Sequence, residues 1–72
     1  MERSRYDRVR YRNLLAEMAK RGESYGTLAD LCEIDEQTFG KKMRSDAPFT
    51  VAQVDVLCRH YGCAYEYLFA TE

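Results

Sequence analysis

The residues with the most specific chemistry lie close together, in the run Asp35-Glu36-Gln37-Thr38-Phe39-Gly40-Lys41-Lys42-Met43-Arg44-Ser45. Lys41 and Arg44 carry donors suited to guanine or to a phosphate oxygen, and Gln37 carries the donor–acceptor pair that matches adenine. Glu36 can accept from cytosine N4, or it can serve as an anion that suits the first turn of a helix. The same set also describes the solvated face of a surface helix. Gly40 costs about 1 kcal/mol against alanine inside a helix. Close approach of a ligand would account for it, and so would tight helix packing or a tolerated irregularity.

Other reactive side chains form no comparable pattern. Cys58, His60 and Cys63 invite a metal reading, but their spacings fit no paired Cys-x-x-Cys and His module. On a helix, positions 58 and 60 point about 200° apart. No metal and no cofactor is therefore expected, and Cys58 reads as a small core residue. The chain has one histidine, no glycine-rich phosphate loop and no acid pair at a useful spacing, and it is too short for a deep pocket. No enzymatic activity is expected.

The polar run belongs to the second of two short helices joined by a tight turn. Ser24 is a helix start signal, and Leu28, Ala29 and Cys32 supply an apolar stripe behind it. Glu33-Ile34-Asp35 reads as a tight turn with Ile34 as a buried plug. Asp35 can cap the amides of Gln37 or Thr38, which opens a second helix over 36–45. Phe39 and Met43, four apart, share its inner face. Glu36, Gln37, Gly40, Lys41 and Arg44 then fall largely on its outer side. Two short helices joined by such a turn have the helix-turn-helix shape, whose second helix enters the DNA major groove.

The rest of the chain reads as support. Residues 1–6 form a basic arm, and residues 7–72 a single domain. From Asp7 to Arg21, Tyr11, Leu14, Leu15 and Met18 recur at helical spacing. Lys20 and Arg21 suit the last turn, and Gly22 is a natural stop. Thr50 and Gln53 make a capping box. Val51, Val54, Leu57, Cys58 and Tyr61 trace one face of the helix that follows, which ends near Gly62. A short helix fits Tyr65 to Ala70, with Leu68 and Phe69 turned inward. No alternating strand pattern is present. The expected fold is all-α, with five short helices.

Composition narrows the classes. The 72 residues make one domain, 46% hydrophobic, and a chain this short buries only about 60% of its unfolded surface. No apolar run approaches the roughly 18 residues of a membrane span. The arginine-rich start lacks the apolar stretch of a signal peptide. Three cysteines, an odd number, argue for a reducing cytoplasm rather than a disulfide scaffold. The net charge of -1 announces no nucleic-acid partner, but the distribution is uneven. Arg3, Arg5, Arg8, Arg10 and Arg12 crowd the first twelve residues. They can track phosphates or enter a minor groove, or they are simply a solvated tail or the exposed face of a longer first helix. The aromatic run Tyr61, Tyr65, Tyr67 and Phe69 exceeds what five helices need inside, and the surplus suits a dimer seam.

Taken in order, these residues resemble the lambda-repressor-like (Cro/repressor, XRE) helix-turn-helix regulators, in particular the small phage and prophage type. The likeness spans Tyr11 to Phe69. It rests on Leu14 and Met18 before Lys20-Arg21-Gly22, on Leu28-Ala29, on Ile34 in the turn, and on Thr38-Phe39 and Lys41-Lys42-Met43. It continues through Phe49-Thr50 and Leu57-Cys58 to Tyr61-Gly62-Cys63 and Tyr67-Leu68-Phe69. The chain departs from the family with Tyr25, Glu33, Gly40 and Ala64, where Gln, Gly, a hydroxyl residue and a capping residue are usual. The resemblance implies a cytoplasmic, homodimeric transcriptional regulator that binds a double-stranded DNA operator. It further implies that Ser24, Tyr25 and Gly26 face the DNA backbone, that Glu36, Gln37 and Lys41 read bases, and that Lys42 and Arg44 contact phosphates. No membrane or small-molecule partner is implied. The alternative is a protein-interaction module on the same fold, such as an antirepressor, an antitoxin or a host-factor inhibitor.

Overall fold

A computed structural model of the chain describes residues 9–71. The expected basic arm, residues 1–6, lies outside the described residues. The architecture is all-α, as expected: α1 (Arg12–Lys20), α2 (Tyr25–Cys32), α3 (Glu36–Met43), α4 (Val51–Tyr61) and α5 (Tyr65–Leu68). No helix is long and apolar enough to cross a membrane among the described residues.

The helix starts follow local chemistry. Ser24 accepts from the Thr27 amide, Asp35 from the Thr38 amide, and Thr50 and Gln53 form the reciprocal capping box, so donors with no intrahelical partner are satisfied. Ala64 offers α5 no side-chain cap. The ends of α1 to α4 share one device, a left-handed residue that turns the chain and lets later amides reach back to the last carbonyls. Gly22 and Gly62 do this after α1 and α4 (φ 65° and 64°). Glu33 (φ 61°) and Ser45 (φ 67°) do it after α2 and α3, although a residue with a Cβ pays roughly 1–2 kcal/mol for that conformation. Ile34 N–H then bonds the Ala29 carbonyl at 3.0 Å, and Asp46 N–H bonds that of Lys41 at 2.8 Å.

The core joins all five helices. Leu14 and Met18 of α1, Leu28 of α2, Phe39 and Met43 of α3, Leu57 of α4 and Leu68 of α5 are fully buried. A chain of edge-to-face rings runs through it, from Tyr25 to Phe39 to Phe49, and on to Tyr11 and Phe69, with centroids 5.3–5.7 Å apart. Such pairs add about 0.5–1.5 kcal/mol each beyond the area they bury. α2 packs chiefly on α3 and also on α4, while α5 touches both α1 and α4. The Cα radius of gyration, 11.4 Å, is near the roughly 11 Å of a folded chain this long.

Two polar knots were not anticipated. Glu17 is buried and accepts from the Tyr67 hydroxyl at 2.8 Å and from Lys20 at 3.2 Å. The Tyr67 hydroxyl, and then Lys20, hold its carboxyl below the usual value. Glu23 accepts from the Tyr61 hydroxyl at 2.6 Å and pairs with His60 Nε2 at 2.7 Å. Burial pushes the Glu23 carboxyl up, but the Tyr61 and His60 bonds outweigh it and the net direction is down. Burial, followed by the Glu23 carboxylate, pushes the Tyr61 phenol up. Arg21 adds bonds to the His60 and Tyr61 carbonyls at 3.2 and 3.3 Å and lies 4.7 Å from the Tyr61 ring centre. Together these clamp the α1–α2 connection onto the C-terminal end of α4, and so set where α2 begins.

Several boundaries differ from the periodicity. Among the described residues the first helix starts at Arg12, while Asp7, where the periodicity opens it, lies outside them. The segment before it is pinned otherwise: Val9 is buried, and Arg10 N–H donates to the Met43 carbonyl at 2.9 Å. The second polar helix ends at Met43 and not 45, because Ser45 turns left-handed. α5 stops at Leu68, though Phe69 is still buried. Val51 is 87% exposed rather than inward. It is the first residue of α4 and lies a turn before that helix reaches the core. Ile34 is half-buried against the core.

Candidate functional site

The exposed side of α3 carries the polar residues singled out above. Glu36, Gln37, Gly40, Lys41 and Arg44 line one open depression of about 530 Å³. The cause is helical period: Gln37, Lys41 and Arg44 fall three and four apart, while Phe39 and Met43 hold the opposite face in the core. Gln37 and Lys41 are exposed, and Lys41 forms no ion pair among the described residues. Arg44 caps the end of α3 and is half-buried, with its Nε 3.2 Å from Asp46 Oδ2. That contact leaves its outer guanidinium nitrogens for a further acceptor.

Gly40 forms the floor of the depression and is itself buried, not outward as expected. It is roofed from the side by Tyr25 and Arg44. A Cβ built there would meet Arg44 Nη1 at 3.5 Å and the Tyr25 ring at 3.7 Å. Those are ordinary van der Waals distances, so packing within the chain does not demand glycine.

The first turn of α2 borders the same region. Glu36 Oε1 would lie 3.5 Å from a Cβ on Gly26, and Ser24 Oγ 3.6 Å from it. The Glu36 carboxylate therefore sits over the start of α2 as well as in the first turn of α3, close to the positive ends of both helices. Ser24, Gly26 and Glu36 are thus brought together, a juxtaposition that no spacing in the sequence announces. Asp35 is held below its usual pKa by the Thr38 side chain and amide.

Two of the expected contact residues are placed elsewhere. Tyr25 does not face outward: it is 2% exposed and packs edge-on against Phe39 at 5.4 Å. An aromatic ring at this position gains more from the core than from solvent. Lys42 is not a surface cation either. It is 8% exposed, its Nζ donates to the Pro48 carbonyl at 2.7 Å, and it lies 5.9 Å from the Phe49 ring centre. Lys42 is adjacent to Met43 and shares its side of the helix, and its long stem reaches the α3–α4 connection.

The cysteines and histidine form no center. Cys32, Cys58 and Cys63 are free thiols, His60 is committed to Glu23, and no group of three or more potential metal ligands is found among the described residues. Burial raises the Cys32 and Cys58 thiols, which keeps them protonated. Of the aromatic run, Tyr61 and Phe69 belong to the core, while Tyr65 and Tyr67 remain 57% and 41% exposed.

Compared with known proteins, the chain matches no family model, no curated protein and no solved structure.

Proposed function

We propose that the protein is a sequence-specific, double-stranded-DNA-binding transcriptional regulator of the repressor type, of phage, prophage or mobile-element origin, acting as a cytoplasmic homodimer. The observation that carries this reading is the outer edge of α3. It presents Gln37, Lys41 and Arg44 around a glycine floor, on a helix joined by only three residues to an equally short partner. An α-helix about 10–12 Å across suits a major groove about 12 Å wide. With α3 in the groove, Lys41 donates to guanine O6 and N7, and Gln37 makes the two-point bond to adenine. Arg44 contacts a phosphate, whereas the Glu36 carboxylate over the start of α2 disfavours one at Ser24 and Gly26. Glu36 accepts from cytosine, or repels phosphate from the wrong register. A dimer sets two such helices roughly 34 Å apart, on successive turns of the duplex. Tyr65, exposed on α5, is available for that seam.

The test is fluorescence anisotropy with duplexes from around the protein's own gene and a scrambled control, at about 50 and 200 mM salt. One duplex is expected to be preferred, with affinity falling as salt rises. Lys41→Ala should cost about 1–3 kcal/mol of specific affinity. Absence of binding to every duplex at the lower salt refutes the reading.

A second reading draws on a different surface. Leu31 (39% exposed) lines an open groove with Cys32, Glu33, Ala52, Gln53 and Val56, where the end of α2 meets α4. This partly apolar groove favours a protein-interaction module, such as an antirepressor, an antitoxin or a host-factor inhibitor. It would be the better account if no DNA were bound.

A further inference from the structure

We propose that Cys58 and Cys63 form an oxidative modification site, a thiol pair that closes to a disulfide within one chain by reducing a hydroperoxide. The inference is independent of the DNA-binding reading and concerns residues that reading does not use.

The pair is built by the way α4 ends. Gly62, left-handed at φ 64°, turns the chain, and the Cys63 amide reaches back to the Cys58 carbonyl at 3.1 Å. In this closure the residue after the glycine meets the side chain five positions before it. A backbone bond of that length holds the two Cα atoms within about 7 Å whatever its angles, and about 7 Å is the limit for a disulfide bridge. Both side chains are half-buried and pack against the same core cluster. Cys63 Sγ donates to the Tyr61 carbonyl at 3.5 Å, which turns it back toward the helix. Behind burial and Asp55, Cys63 is among the neighbours that push the Cys58 thiol up, so the two sulfurs are close. Cys32 is placed apart from them. It lies at the end of α2, in a groove with Ala52, Gln53 and Val56, toward the start of α4 rather than its end.

Packing alone does not require this chemistry. Any two small apolar side chains could make the same contact across the helix end, whereas two thiols can also give up two electrons. Burial keeps Cys58 protonated, so Cys63 reacts first, as its thiolate. Its sulfur attacks a peroxide oxygen, the O–O bond breaks, and the departing hydroxide takes a proton to leave as water. Cys63 is then a sulfenic acid. The Cys58 sulfur attacks it, the S–O bond breaks, and the hydroxide leaves as a second water with the Cys58 proton. One peroxide is reduced to two waters, and the two thiols become one disulfide. The product staples the last turn of α4 to the short connection before α5. Exchange with a small dithiol reverses it.

The experiment treats the full chain at neutral pH with a few equivalents of hydrogen peroxide, quenches with N-ethylmaleimide and digests with trypsin without reductant. Cleavage after Arg21, Lys41, Arg44 and Arg59 puts the three cysteines on separate peptides, 22–41, 45–59 and 60–72. The expected product is a disulfide joining 45–59 to 60–72, with Cys32 carrying the maleimide. The intact chain should lose the mass of two hydrogens, and dithiothreitol should restore it. Cys32→Ser should form the same bridge at the parental rate, and Cys63→Ser should leave Cys58 reduced. Circular dichroism checks that each variant is folded. Maleimide on all three cysteines, bridges between chains, or a bridge to 22–41 as abundant as the expected one overturns the inference. So does a Cys63→Ser chain that pairs Cys58 with Cys32 as readily as the parent pairs Cys58 with Cys63. Each of these results leaves the DNA reading untouched, because the readout is thiol chemistry.

Discussion

Gly40→Ala separates a glycine kept for function from one kept for folding. Gly40 lies inside α3 with ordinary helical backbone, since the positive-φ glycines are Gly22 and Gly62. The added methyl would touch Arg44 Nη1 at 3.5 Å and the Tyr25 ring at 3.7 Å without clash. Alanine should therefore recover about 1 kcal/mol of helix propensity, plus up to about 0.8 kcal/mol for a buried methyl. In a domain this small each kcal/mol moves Tm by about 4–8 °C. The assays are a thermal melt and a urea titration followed by far-UV circular dichroism, then anisotropy on the preferred duplex. The methyl also occupies the floor of the depression formed with Gln37 and Lys41. If a groove wall approaches there, it should cost about 1–3 kcal/mol of affinity, as an overpacked contact does. Higher stability with weaker binding is the expected pair of results. A lower Tm would refute the packing argument, and a higher Tm with unchanged binding would remove Gly40 from the contact surface.

Lys42→Ala should lower stability by about 1.5–3 kcal/mol, the range for a hydrogen bond to a charged group, because its Nζ is bonded to the Pro48 carbonyl. Its salt slope on DNA should shift by less than the roughly 0.9 of one phosphate contact, and a full shift would restore Lys42 to the interface. The Glu23 carboxyl is depressed in the fold, so its contribution is complete above the ordinary value of 4.5 and is lost as pH falls through the lower folded value. Urea midpoints of Glu23→Gln and the parent should therefore differ at pH 7 and converge well below pH 4.5. A gap that persists in acid would mean that the bonds to Tyr61 and His60 do not depend on the carboxylate charge.

Helix positions were legible because capping and period are local. Ser24, Asp35, Thr50 with Gln53, and Gly62 act within four residues of themselves, so their roles can be read without knowing the fold. The outward set Gln37, Lys41 and Arg44 was legible for the same reason, since one helix face follows from a 3.6-residue repeat. The turns at Glu33 and Ser45 were less visible, because a left-handed backbone is signalled strongly by glycine and weakly by glutamate or serine.

What the amino-acid order determined by itself was the five-helix pattern, the starts of α2 to α5 and the polar edge of α3. Only the tertiary structure decided which polar side chains are surface and which are interior. Tyr25 and Lys42 share short helices with exposed neighbours, and their burial depends on Phe39, Pro48 and Phe49 arriving from elsewhere. The same holds for Glu17 under Tyr67, Glu23 against His60 and Tyr61, and Arg10 beside Met43. Those partners lie 33 to 50 positions apart in the chain, and no helical repeat relates residues so distant.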